Sequence, residues 1–166
     1  MTGKSHVQLG IYIGITGAVF LYKEVDPRIS FALGSIIGSA FPDIDSPKSM
    51  ISKHIPLLPK ILNKIFGHRA YLHSLMHMFI LTVLLRLPSQ AEYVGEYFKA
   101  LSNGFAIGFL SHLLQDSLTK DRIKPFYPFS NMKIGLGLFK SGSHIEPIFN
   151  TLLGILWTLP IVMFSK

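Results

Sequence analysis

Residues 34–49 read GSIIGSAFPDIDSPKS. A run of apolar and small residues stops at Pro42, and two carboxylates, Asp43 and Asp45, follow at once. Pro42 and Pro47 predict a helix that ends there in a stiffened turn. Acids two apart in a turn point in different directions, so they can divide roles. One can ligate an ion while the other orients a histidine or a water. Solvated acids in a terminating turn are the plainer reading. Carboxylates at the end of a greasy segment are costly to bury, and such groups gather at functional sites.

The rest of the chain has the same apolar character. Its 166 residues are 49% hydrophobic and 15% charged, against the ~25% charged residues usual in soluble domains. The length suits one domain, 1–166. There is no cysteine, which excludes disulfides and Cys-rich metal sites. Any metal must be held by His, Asp and Glu. The net charge of +7 suits nucleic acid or an anionic lipid surface, and in so apolar a chain lipid is the better match. The start carries no obvious short apolar core with a small-residue cleavage site, so no secretory signal is expected.

Five apolar segments stand out, at about 7–22, 29–42, 71–88, 101–116 and 147–164. They predict an all-α protein: an integral membrane bundle of about five short helices. Most fall below the ~20 residues needed to cross the hydrocarbon core, which local bilayer thinning can accommodate. A soluble bundle of unusually apolar helices is the competing fold. The stretch SKHIPLLPKILNKIFG, 52–67, is basic and amphipathic and reads as a helix lying on the interface, with His54 on its polar face.

Alternating the five segments across a bilayer places eleven Lys and Arg on the N-terminal side and five on the other. The positive-inside rule then makes the N-terminal side cytoplasmic. On that same side fall His6, Asp43 and Asp45, the stretch GHRAYLHS (67–74), the stretch SHLLQD (111–116) and Glu146. Hydropathy does not require this coincidence. His112 and Asp116 are four apart, on one helical face, as a metal clamp needs. His68 and His73 flank Arg69 across a loop-to-helix junction, and one or both can ligate. Arg69 offers a fork for phosphate oxygens, or simply anchors a headgroup. His77, one turn deeper, reads as a core histidine, and His144 lies in a Gly/Ser loop near Glu146. His, Asp and Glu sets suit zinc, manganese or iron, and the number of candidates allows two or three ions.

The stretches GSAFPDIDSPKS, GHRAYLHSL, GFLSHLLQDSLT and YPF, with His6 early and SGSHIE late, resemble the membrane-bound metal-dependent hydrolase family, also described as LexA-binding, inner-membrane-associated hydrolases. The order of ligand types is also similar, remotely, to zinc-dependent phospholipase C and the single-strand-specific nucleases, all-helical enzymes with a three-zinc phosphodiesterase site. These resemblances imply His6, Asp43, His68 or His73, His112, Asp116 and Glu146 as metal ligands. The phospholipase's N-terminal amino ligand has no counterpart by this reading, since five residues precede His6. Lys120-Asp121-Arg122 also departs from the Pro and Gly that the hydrolase family often has there.

The expectation is a metal-dependent, zinc-type hydrolase at the cytoplasmic face of the inner membrane. It would cleave phosphoester or phosphodiester bonds of an anionic lipid or lipid-linked phosphate, with Asp45 as general base and Arg69 on the phosphate. No direct nucleic acid partner is expected. A metal or proton transporter is the alternative, though its polar residues should spread through the bilayer depth rather than gather at one end. A non-enzymatic regulator binding a soluble partner, as the LexA-binding description implies, is the other.

Overall fold

The computed structural model describes residues 1–46, 57 and 71–164, without the side chains of Asp45, Pro160, Ile161, Val162 and Phe164. Among them are five α-helices: α1 (Gly3–Leu21), α2 (Val25–Ala40), α3 (Leu75–Arg86), α4 (Gly95–Leu118) and α5 (Ile145–Phe164). Two 3-10 turns, Phe41–Asp45 and Leu87–Gln90, follow α2 and α3. The only strand-like features among these residues are two isolated bridges, Thr119 with Phe139 and Ile123 with Ile134.

Helix boundaries follow local chemistry. Pro27 sits in the first turn of α2, where no amide hydrogen is needed within the helix. Pro42 falls at the start of the 3-10 turn, so the tight winding that carries Asp43 begins where the α-helical ladder must stop. Ser74 caps α3, its Oγ accepting the His77 amide at 3.2 Å. Expected segment 3 thus loses 71–74 to a capped entry, while segment 4 gains a turn at its start, from Gly95.

Helices α2 and α4 pack backbone against backbone. Cβ atoms on Gly104 and Gly108 would strike the carbonyl oxygens of Phe31 and Ser35, and Cβ atoms on Gly34 and Gly38 those of Leu101 and Phe105. Two small-xxx-small stripes therefore interlock, the arrangement that lets apolar helices associate closely. Helix α1 lies along α2, and Ser35 Oγ donates to the Gly10 carbonyl at 2.9 Å. Phe105, Phe109, Leu113 and Ile123 form a buried cluster against Phe41, Leu75 and Met78.

Polarity is inverted relative to a water-soluble bundle. Ser5, His6, Ser35, Ser39, Ser102, His112, Gln115 and Asn150 are buried, while Ile15, Leu21, Ile29, Leu33, Ile37, Phe79, Leu84, Leu152 and Leu156 are each at least half exposed. Among the described residues, no helix is long and apolar enough to cross a membrane. That departs from the expectation of five crossing segments. The reason is partly length, since α3 has 12 residues, about 18 Å. It is partly content, since α4 carries Glu96, Lys99, His112 and Asp116. The interfacial helix expected at 52–67 lies outside the described residues, apart from Leu57.

Candidate metal centre

One end of the bundle gathers five of the expected ligands. His6 comes from the first turns of α1, Asp43 from the 3-10 turn, His73 from the entry to α3, and His112 and Asp116 from successive turns of α4. His6 Nε2 lies 3.1 Å from Asp116 Oδ1. His73 Nε2 is 3.5 Å from Asp116 Oδ2 and 3.7 Å from Asp43 Oδ1. His112 Nε2 is 3.5 Å from Asp116 Oδ2, 4.0 Å from Asp43 Oδ1 and 3.3 Å from His73 Nε2. Ligand atoms of His6, Asp43 and His112, and likewise of His73, His112 and Asp116, fall within 4.8 Å of one another.

The outer hydrogen bonds of two histidines set their tautomers. His112 Nδ1 is 2.7 Å from the Ser39 carbonyl oxygen, which can only accept, so the Nδ1 proton goes there and Nε2 is a lone pair. His6 Nδ1 is 2.8 Å from Gln115 Oε1. The Gln115 amide is oriented in turn, because its Nε2 donates to Asn150 Oδ1 at 2.6 Å while Asn150 Nδ2 donates to Gln8 Oε1 at 2.9 Å. His6 therefore also presents a lone pair at Nε2. This nitrogen makes no aligned hydrogen bond, although Asp116 is within reach. The Nε2 lone pairs of His6 and His112 face the Asp43 and Asp116 carboxylates, to which His73 and the Met1 amino group supply donors, and buried polar groups normally find partners. A divalent cation satisfies several acceptors at once. Imidazole and carboxylate donors with orienting partners are what zinc and its neighbours bind.

Burial opposes the charge on Asp43, but the hydrogen bond from His73 and the fields of His112, His6 and His73 outweigh it and hold its carboxyl at about 2. Asp43 is therefore an anion at neutral pH.

Two sequence expectations are placed differently in the structure. Glu146 does not stand among these groups. Its Oε1 accepts from the Thr2 amide at 2.6 Å, Thr2 Oγ1 at 2.7 Å and Ser5 Oγ at 2.6 Å, and its Oε2 from the Gly142 amide at 2.7 Å. With its oxygens so occupied, it clasps the start of α1 to the start of α5. The amino group of Met1, expected to have no place here, pairs with Asp116 Oδ1. The first turn of α1 folds it back over His6. His144 is exposed and takes no part.

His77 packs against Phe41, Tyr71 and Phe109 with both ring nitrogens buried and unpartnered. It is half-buried, and its unpartnered nitrogens differ from the satisfied core histidine that was expected. His68, Arg69 and His54 lie outside the described residues, and so does the side chain of Asp45. Gln115, Asn150 and Gln8 were missed by the sequence reading. The available signal was an Asn inside an otherwise apolar helix and a Gln beside a candidate ligand.

No solved structure matches the chain. A Bacillus subtilis protein, the uncharacterized protein YvsG, is 36% identical over 149 residues, 89% of this chain and 86% of its own. The inner membrane protein YdjM of Escherichia coli is 34% identical over 138 residues, 77% of this chain and 66% of its own, and the Shigella flexneri protein of the same name matches equally. The family model described as YdjM inner membrane protein matches residues 1–165, and the chain belongs to that family.

Proposed function

We propose that this protein is a divalent-metal-dependent hydrolase of phosphoester bonds, seated in the inner membrane with its centre at the cytoplasmic end of the bundle. The observation that carries the reading is the convergence of His6, His73 and His112 Nε2 atoms on the Asp43 and Asp116 carboxylates. Gln115 and the Ser39 carbonyl turn two of those nitrogens into acceptors. His112 belongs to both candidate groupings, and one lone pair serves one ion. The two groupings therefore cannot both use His112 at once, and a second ion would rest on bridging by the Asp43 or Asp116 carboxylate or on further ligands such as His68.

A bound ion of this type polarises a phosphoryl oxygen and lowers the pKa of a water. The protein's own part is to keep Asp43 anionic, to hold the imidazoles in the ligating tautomer and to shield the site within the bundle end. Lipid embedding is supported by the inverted polarity and the interlocked glycine stripes. It accords with the family name, and helices this short call for a locally thinned bilayer. An anionic lipid or lipid-linked phosphate is the substrate class that suits a chain of charge +7.

The test is elemental analysis of protein purified without added metal, together with phosphate or headgroup release from anionic phospholipids and lipid-linked phosphates in micelles. Near-stoichiometric zinc, manganese or iron with hydrolysis lost in His112→Ala supports the reading. A metal-loaded protein that cleaves nothing on that panel overturns the enzyme; a protein that takes up no ion overturns the centre.

A further inference from the structure

The segment between α4 and α5 combines two properties seldom found together: it is firmly braced, and it exposes large apolar side chains. Its bracing is extensive. Ile123 and Ile134 exchange backbone hydrogen bonds at 3.0 and 2.8 Å, Lys120 donates to the Phe139 carbonyl at 3.0 Å, and Leu136 and Leu138 donate to the carbonyls of Ser117 and Leu118 at 2.7 and 2.8 Å. Ile123 is buried in the cluster with Phe105 and Phe109. Phe139 is buried and packs its ring 5.4 Å from Phe149. The Leu75 amide reaches the Pro125 carbonyl at 2.9 Å, tying the segment to α3 two residues after His73.

On this frame Phe129 is 84% exposed and Leu136 71%, with Phe126, Met132 and Leu138 also open. A braced segment cannot turn these side chains inward. Residues 119–140 also carry Lys120, Arg122, Lys124, Lys133 and Lys140 against the single acid Asp121. Apolar and aromatic side chains interleaved with cations are the composition of a surface that enters the headgroup layer of an anionic membrane. The chain path puts the segment at the same end as the metal centre, beginning just past Asp116.

We infer that residues 123–138 form a membrane-seating loop. Phe126, Phe129, Met132, Leu136 and Leu138 enter the headgroup layer of an anionic bilayer, and Lys120, Arg122, Lys124, Lys133 and Lys140 meet the lipid phosphates. This deepens the proposed function, because it holds the mouth of the centre at the depth where phosphoester bonds of lipids lie.

The experiment uses the sole tryptophan, Trp157 on α5, as an internal reference. The full chain is reconstituted in nanodiscs containing lipids brominated either near the headgroup or near the acyl termini. A second sample carries Phe129→Trp in a Trp157→Phe background. The loop indole should emit to the blue of water-exposed tryptophan and be quenched by the shallow bromines. That quenching should be about twofold stronger with phosphatidylglycerol than with phosphatidylcholine alone, and Lys124→Glu with Lys133→Glu should remove the difference.

Emission typical of water with no bromine quenching overturns the seat. So does a blue shift that rises with protein concentration but is insensitive to bromine, since a second copy would then cover the loop. Wild-type Trp157 reports separately on the embedding. If deep bromines leave it unquenched while the loop indole is quenched, the bundle rests on the membrane and the seat stands.

Discussion

His6 and His112 stack ring on ring, with centroids 3.6 Å apart and planes 18° from parallel, although they come from the first and fourth helices. Each ring is tied at Nδ1 and turns its Nε2 toward the carboxylates. Two imidazoles stacked this closely are stable as neutral rings and repel when both are protonated, so the geometry favours the state that binds a cation.

The ligands should therefore be separable from the residues that orient them. His112→Ala and Asp43→Asn each remove a donor atom from the centre and should leave the purified protein with little bound metal by elemental analysis. Gln115→Leu removes the partner of His6 Nδ1, together with the donor to Asn150 and Ser5, but no candidate donor atom of the centre. It should weaken metal binding about 10–100-fold and leave the capacity at saturating metal unchanged in a chelator competition. Equal loss in all three would mean that Gln115 contributes more than orientation.

Glu146 offers the opposite pattern. Glu146→Ala removes four hydrogen bonds to a carboxylate and strands Thr2, Ser5 and Gly142. About 2–4 kcal/mol of stability should be lost, read as a lower unfolding midpoint in detergent. The metal content of the folded fraction should match wild type. Loss of metal from protein that remains folded would return Glu146 to the ligand set.

The glycine stripes make a purely steric prediction. In Gly104→Ala the new methyl meets the Phe31 carbonyl, which is backbone and cannot rotate away. The α2–α4 contact must open, at a cost of about 1–3 kcal/mol or more. Gly137→Ala supplies a contrast: nothing lies near its would-be Cβ, but its φ is +65°, so the penalty is confined to local backbone strain of about 1 kcal/mol. If thermal unfolding ranks Gly137→Ala as the more damaging of the two, the packing account is wrong.

Much of the site could be read from the chain because its logic is local. Pro42 fixes where α2 must stop, so Asp43 falls at a helix end. The spacing of His112 and Asp116 puts both on one face without any knowledge of the fold. Glu146 shows where that reasoning fails. Its position at the head of an apolar helix is equally that of a ligand and of a clasp, and only the approach of Thr2 and Ser5 from the far end of the chain decides between them. The same holds for Gln115, whose amide direction depends on Asn150. Segment boundaries shifted because hydropathy marks where lipid-like residues lie, whereas helices continue through polar turns such as those at Gly3–Ser5 and Gly95–Lys99. Crossing of a membrane rested on apolar content alone, and polar side chains such as Gln8, Asn103 and Gln115 dilute that content on the faces where helices meet.

The relay from Gln8 through Asn150 and Gln115 to His6 joins helices α1, α5 and α4, and α5 is the last of them to leave the ribosome. A nascent chain that has not yet produced Asn150 holds every described donor atom of the centre, but the Gln115 amide then donates only to the Ser5 carbonyl at 3.4 Å and lacks its shorter bond to Asn150. The hold on the His6 ring is correspondingly looser. Full orientation of the His6 imidazole is thus a property of the finished chain, reached only when α5 supplies Asn150.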